Sequence, residues 1–224
     1  MIFQNRTTAG RELAQQLKQY ANRKDLIVLG TPRGGVPVAF EVATALEAPL
    51  DIFVLRKLGV PGHKELAFGA IASGGIRILD RQTIEGLGIT GTEIERVTRA
   101  EQLELERREC AYRGGRPPLN VRRLTVILVD DGIATGSSMR AAVRALQQMN
   151  PATLVIATPV APRSTCNRLR SEVDELVCLE MPEPFYGVGQ FYRDFSEVPD
   201  AEVIHLLECA WEREDRNRCA GTVT

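Results

Sequence analysis

The chain has 224 residues, and 28 Lys and Arg against 29 Asp and Glu leave a formal net charge of −1. That balance excludes a polycationic binder of nucleic acid or anionic membrane, because such binding depends on a basic excess. A hydrophobic fraction of 44% with 25% charged residues excludes global disorder, and at roughly 150 residues per domain the length predicts one large domain with elaborations. The five cysteines, Cys110, Cys166, Cys178, Cys209 and Cys219, are odd in number and contain no C-x-x-C pair. They predict neither a disulfide framework nor a zinc cage, and they suit a reducing, cytoplasmic setting. The opening MIFQNRTTAGRELAQQL carries no apolar run with a cleavage site, and no stretch approaches the ~18 apolar residues of a membrane span. No secretory signal and no membrane partner are expected.

Apolar, β-branched runs alternate with helical patterns, which predicts an α/β fold with a parallel sheet and crossover helices. Residues 25–30 (DLIVLG) form the first predicted strand, punctuated by Pro32-Arg33-Gly34-Gly35. A helix over 36–46 follows, with Ala39, Val42, Ala43 and Leu46 at helical spacing. Residues 51–58 (DIFVLRKL) read as a second strand, leading into a Gly/Pro-rich loop, GVPGHKE. Extended runs at 66–72 and 76–79 flank Ser73-Gly74-Gly75, the pattern of a β-hairpin. Residues 90–112 are densely charged, with only Ile94, Val97 and Leu105 as an apolar stripe. They predict a weakly packed helix, either a solvated surface helix or an arm that contacts a second subunit or covers a site. Gly114-Gly115-Arg116-Pro117-Pro118 stops it.

Residues 126–131 (VILVDD) form the third strand, followed by the loop 132–138 and a helix over 138–149. A fourth strand at 154–160, a short helix at 164–171 and a fifth strand at 175–181 come next. The aromatic-rich stretch 185–195 (FYGVGQFYRDF) reads as a loop. Residues 199–213 close the chain as a helix with Val203, Leu206, Leu207 and Ala210 on one face.

The third strand carries the chemistry. Four apolar residues deliver Asp130 and Asp131 to a strand's carboxyl end, where open α/β sheets bind ligands. There the two carboxylates can accept hydrogen bonds from vicinal hydroxyls. Gly132-Ile133-Ala134-Thr135-Gly136-Ser137-Ser138 then opens a helix, so that main-chain N–H groups, hydroxyls and the positive helix end converge as a phosphate cradle. A diol-binding acidic pair just before such a cradle matches the ribose and 5-phosphate of a sugar phosphate. The competing reading is an ordinary strand–turn–helix junction capped by the two aspartates.

This run resembles the 5-phosphoribosyl-1-pyrophosphate (PRPP) motif of type I phosphoribosyltransferases. The resemblance extends over nearly the whole chain through the opening Phe3, Asn5, Arg6, Ala9 and Gly10, the P-R-G-G loop, R-K-x-G-x-P-G, and the late segment 185–195. It implies a twisted sheet of about five parallel strands with helices on both faces. It also implies a single domain with an insertion at 59–118, holding the flexible loop and the charged helix, and a small hood at about 182–198. The implied activity is transfer of ribose 5-phosphate from PRPP to a nitrogen acceptor, a nucleobase or related compound, with release of pyrophosphate.

The implied roles follow residue by residue. Arg33, Gly34, Gly35 and Lys57 would bind pyrophosphate, and Ala134, Thr135, Gly136, Ser137 and Ser138 would bind the 5-phosphate. Asp130 and Asp131 would hold the ribose hydroxyls, directly or through Mg²⁺, the expected cofactor. With Arg33 and Lys57 they form the expected catalytic set. His63, Lys64 and Glu65 would belong to a flexible loop that closes over the site. Phe185, Tyr186, Phe191 and Tyr192 would offer the hood's stacking surface to a planar acceptor. One departure from the family stands out: Ala134 occupies the position that holds a general-base Asp in hypoxanthine–guanine-type enzymes. Any base must therefore come from elsewhere, such as Glu65 or Asp194, or be unnecessary. A homodimer is expected. The alternative implied by the same resemblance is a PRPP-sensing regulator that binds nucleic acid or protein through a basic face of Arg107, Arg108, Arg113, Arg116, Arg122 and Arg123. Arg33 and Lys57 favour the enzyme.

Overall fold

Two five-residue strands, β1 (Leu26–Gly30) and β6 (Thr125–Val129), have every side chain buried. Residues covered on both faces must be apolar throughout, which is why these segments read as continuous runs and not as alternating patterns. They lie side by side at the centre of a five-stranded sheet in the order β2-β1-β6-β7-β8. The outer members are β2 (Leu50–Ile52), β7 (Thr153–Val160) and β8 (Glu175–Glu180), and every pairing is parallel. The computed structural model describes residues 2–220, apart from the side chains of Lys64, Glu65 and residues 217–220.

Alternate residues of the central strands feed two cores. Val28, Ile127, Val129, Val155 and Ala157 pack under α1 (Arg6–Gln16), α2 (Gly35–Leu46) and α7 (Asp200–Ala220). Ile27, Leu29, Val126, Leu128 and Ile156 pack under α5 (Ser137–Gln148) and α6 (Arg163–Arg170). The α/β fold with helices on both faces is as the sequence predicts. Helix α1 is an addition that the apolar pattern does not signal. Its start is a capping box, in which Asn5 Oδ1 accepts from Thr8 N at 2.9 Å and Thr8 Oγ1 accepts from Asn5 N at 3.1 Å.

The predicted second strand, 51–58, divides in two. Strand β2 ends at Ile52, and β3 (Leu55–Val60) begins a separate antiparallel sheet with β4 (His63–Ala72) and β5 (Ile76–Leu79). The break lies where hydrogen-bond partners change. Phe53 N still donates to Gly30 O at 3.0 Å, whereas Val54 N donates to Ser73 Oγ at 2.9 Å and Val54 O accepts from Ser73 N at 2.9 Å.

The Gly/Pro-rich stretch after it is a hairpin tip, with Val60 opposite His63 and Gly62 at φ 80°. Pro61-Gly62 supplies the two central residues that a type II turn requires. The hairpin around Ser73–Gly75 forms as expected, with Ala72 opposite Ile76. A short helix that the sequence reading omits, α3 (Arg81–Gly86), leads to α4 (Gly91–Arg113). Helix α4 buries only Leu105, Tyr112 and Arg113, in keeping with its sparse apolar stripe. Cys110, Cys166, Cys178 and Cys209 are free thiols, while Cys219 lies outside the described side chains. Among the described residues no helix is long and apolar enough to cross a membrane.

Candidate functional site

Strand β1 connects outward to β2 on one side and pairs with β6 on the other. Strand order therefore reverses between β1 and β6, and the crevice beyond their carboxyl ends is where an open α/β sheet takes its ligand. Residues 31–34 leave β1 there, and Asp130 and Asp131 leave β6.

The two segments touch. A Cβ on Gly34 would stand 2.0 Å from Asp131 Oδ2, and one on Gly35 would stand 2.5 Å from Thr31 Oγ1 and 2.8 Å from Val129 O. Gly34 is thus required by contact with the acidic pair itself, and Gly35 by the close approach of the strand ends on either side. The Pro32–Arg33 peptide bond is cis.

Asp130 and Asp131 are consecutive, largely covered carboxylates with one direct cation among the described residues. Burial first, and then the charge of Asp131, pushes the Asp130 carboxyl up to about 7. Burial also raises Asp131, opposed by the Arg6 guanidinium, whose Nε lies 2.7 Å from Asp131 Oδ2. Arg6 Nη1 donates to Ser196 O at 2.8 Å, and its guanidinium lies 4.0 Å from the Phe195 ring centroid. Tyr192 Oη donates to Asp131 O at 2.6 Å. Once Asp130 is ionised, two carboxylates face one guanidinium and carry an excess negative charge, suited to hydroxyl donors or a cation.

Arg6 is the site residue that the sequence reading left without a role. It lies one position after a helix cap, 125 residues from its partner, and local pattern carries no signal for such a pairing.

Past the acidic pair, Gly136 adopts φ 78° and α5 begins at Ser137. Ala134, Thr135, Ser137 and Ser138 are exposed, so the helix's N-terminal end faces outward. Helix α6 braces this turn, with Thr165 Oγ1 donating to Ala134 O at 2.8 Å and Arg168 Nη2 to Thr135 O at 3.3 Å. Between these segments lies a cleft of about 450 Å³, lined among others by Thr31, Pro32, Lys57, Asp130 and Ser138. Three separate motifs of the sequence meet in it.

Other predicted residues lie differently. Arg33 forms an ion pair with Glu197, and its Nη1 stands 3.9 Å from Asp200 Oδ1. His63 is an exposed residue at the hairpin tip, and the side chains of Lys64 and Glu65 lie outside the described residues. Asp194 accepts from Ser196 N at 3.1 Å and from Ser196 Oγ at 2.7 Å. These bonds hold its carboxyl below the usual range, which weakens it as a base.

Of the four hood aromatics, Phe185 and Phe191 stack on each other at 5.3 Å, and Tyr192 is buried against Phe3. Only Tyr186, 86% exposed, presents a free ring. Val188 closes over the acidic loop so tightly that a Cβ on Gly132 would stand 2.2 Å from its Cγ1.

The sequence model of the phosphoribosyl transferase domain matches residues 2–196. The chain belongs to that family. Two Mycobacterium tuberculosis proteins, from strains CDC 1551 and H37Rv, are each 44% identical over 209 residues and carry provisional names as phosphoribosyl transferases. The match covers 93% of this chain and 47% of theirs, so the chain spans about half the length of these curated relatives. The crystal structure of TT1426 from Thermus thermophilus is similar, with a TM-score of 0.81 at 39% identity over 92% of this chain and 98% of that one.

Proposed function

We propose that this protein transfers ribose 5-phosphate from PRPP to a nitrogen of a planar acceptor such as a nucleobase, releasing pyrophosphate. The observation that carries this reading is the cleft lined by Thr31 and Pro32 after β1, by Lys57, by Asp130 and by Ser138 at the open end of α5. Thr135, Ser137, Ser138 and the first amides of α5 hold the 5-phosphate. Asp130 and Asp131 accept hydrogen bonds from the ribose hydroxyls, with Arg6 fixing Asp131. Lys57 and the amide of Gly34 meet the pyrophosphate, and Arg33 joins them when it leaves Glu197. In this reading one domain carries the 59–118 insertion and the hood at about 182–198.

In the reaction, the bond from the ribose C1 to the pyrophosphate oxygen breaks and its electron pair leaves with the pyrophosphate. The acceptor nitrogen's lone pair forms the new bond to C1, and the acceptor gives up a proton. Positive charge grows on the ribose and negative charge on the leaving group, so fixed opposite charges and positioning provide the acceleration. Ala134 cannot take the acceptor's proton, which favours an acceptor that reacts without a base at that position.

Among the described residues no group of three His, Cys, Asp or Glu side chains could hold a metal alone. The donor set nonetheless fits Mg²⁺, which is bound through one or two carboxylates together with substrate phosphates and water. Bound beside Asp130 and Asp131, the ion would neutralise charge on the departing pyrophosphate.

The test is a screen of nucleobases with PRPP and Mg²⁺, following pyrophosphate release. A planar nitrogenous acceptor is expected to accelerate release. If PRPP raises the melting temperature while no acceptor accelerates release, the transferase reading fails.

A further inference from the structure

Helix α4 contributes directly to the cleft. Arg108 lines the same space as Thr31, Lys57 and Asp130, on a helix whose sequence reads either as a solvated surface or as an arm over a subunit or site. Its charge is incompletely matched. Glu104 accepts from Arg107 at both oxygens, Nε to Oε2 at 2.7 Å and Nη2 to Oε1 at 3.0 Å, and from Arg108 Nε at Oε1, 2.8 Å. The two guanidiniums pull the Glu104 carboxyl down to about 2, so it stays ionised at neutral pH. Two positive charges against one negative leave one in excess, and the Nη groups of Arg108 bond to no described residue.

The other arginines near the cleft are more fully engaged. Arg56 is held by Glu101, with Nη2 at 2.6 Å and Nε at 2.8 Å from Oε2. Arg33 is paired with Glu197. Lys57 and Arg108 are therefore the two cleft-lining cations whose charge is not fully matched by a carboxylate among the described residues.

The mounting of Arg108 is rigid. Leu105 and Tyr112 are buried on either side of it along the helix, and Tyr112 Oη donates to Asp200 Oδ1 at 2.6 Å. Arg113 at the helix end pairs with Asp51 at 2.9 Å. A guanidinium held on a fixed helix presents a planar fork of donors that matches phosphate oxygens in pairs.

We infer that Arg108 is a pyrophosphate-binding residue, supplied by α4 to stand with Lys57 at the leaving-group end of the cleft. The inference rests on the PRPP reading above and gives the charged helix a chemical task. Arg107 is the built-in control, since it shares Glu104 with Arg108 but does not line the cleft.

The experiment is calorimetric titration of the full chain with inorganic pyrophosphate in Mg²⁺, comparing wild type, Arg108→Gln, Arg108→Lys and Arg107→Gln, with melting temperatures recorded alongside. Loss of one charge-assisted fork is expected to weaken Arg108→Gln at least about tenfold. Arg108→Lys should keep part of the affinity, and Arg107→Gln should lie within about twofold of wild type. If wild type binds pyrophosphate and Arg108→Gln binds it equally, or if both glutamine variants lose affinity equally, the role of Arg108 is overturned while the PRPP reading stands. If wild type binds neither pyrophosphate nor PRPP, both fall. Should Arg108→Gln melt well below wild type, the Arg108→Lys titration decides, since full loss there would contradict a charge-based role.

Discussion

Arg6 and Asp131 form the most consequential pair in the site. Their side chains are 12% and 13% exposed, so each charge depends on the other for much of what water would have supplied. Asp130 lies beside them, its carboxyl raised by burial first and by the neighbouring Asp131 charge second. Arg6→Met removes the cation and leaves both acids unpaired. We expect a loss of about 3 kcal/mol in urea unfolding, the size typical of breaking a buried pair. Arg6→Met combined with Asp131→Asn should recover part of that loss, because the uncompensated charge is then gone. A single variant within about 0.5 kcal/mol of wild type, the scatter of an ordinary surface substitution, would remove Arg6 from this role. Gly34→Ala tests the same contact from the other side. Its Cβ would meet Asp131 Oδ2 at 2.0 Å, in a carboxylate that Arg6 already fixes. Folded-state stability should fall by about 1–3 kcal/mol, as for other overpacked sites; an unchanged urea midpoint would show that the loop yields freely.

Elements are joined by two phenols that donate to carboxylates. Tyr20, in the short turn after α1, donates to Glu175 on β8, and Tyr112 on α4 donates to Asp200 at the start of α7. Burial first and the carboxylate partner second push each phenol up to about 12. Both folded values lie above the ordinary value of about 10. The stability linked to them is therefore complete below about pH 10 and is lost as pH rises through about 10 to 12, where the unfolded chain gives up the proton and the folded chain keeps it. Replacing both with Phe should weaken the protein at pH 8 yet make its further loss between about pH 10 and 11.5 shallower than in wild type. Urea midpoints across that range provide the check, and parallel slopes for the two proteins would exclude the phenols as the cause. Such ties also mark where local pattern runs out. The apolar run 51–58 was legible as extended chain, but its division at Phe53 depends on whether Gly30 or Ser73 supplies the next partner, a choice made by residues about 20 positions away in either direction.

At the scale of the whole molecule, the parallel sheet and its crossover helices were legible because buried strands and amphipathic helices leave periodic marks. The acidic pair and the turn after it were legible for the same reason, being a contiguous run. The placing of Arg6 against Asp131 and of Arg108 in the cleft was not, since each arrives from a segment whose local sequence reads only as helix or loop. The near-neutral total charge is compatible with a polyanionic ligand because positive charge is available locally: Lys57 and Arg108 line the cleft without a full carboxylate match among the described residues. Binding PRPP should therefore act as a stabilising ligand on the whole fold. At about 100 times its Kd, a ligand that binds only the folded state adds about 2.7 kcal/mol, which for a chain of this size raises Tm by roughly 5–10 °C. Under the proposed function Asp131 accepts the ribose hydroxyls, so Asp131→Asn, which also loosens Arg6, should abolish the PRPP-dependent rise in Tm. The unliganded variant should melt below wild type, by less than Arg6→Met does, because the substitution also relieves the repulsion on Asp130. Thermal melts of both proteins with and without PRPP and Mg²⁺ separate the two effects. A full PRPP shift retained in Asp131→Asn would sink the assignment of the acidic pair to the ribose.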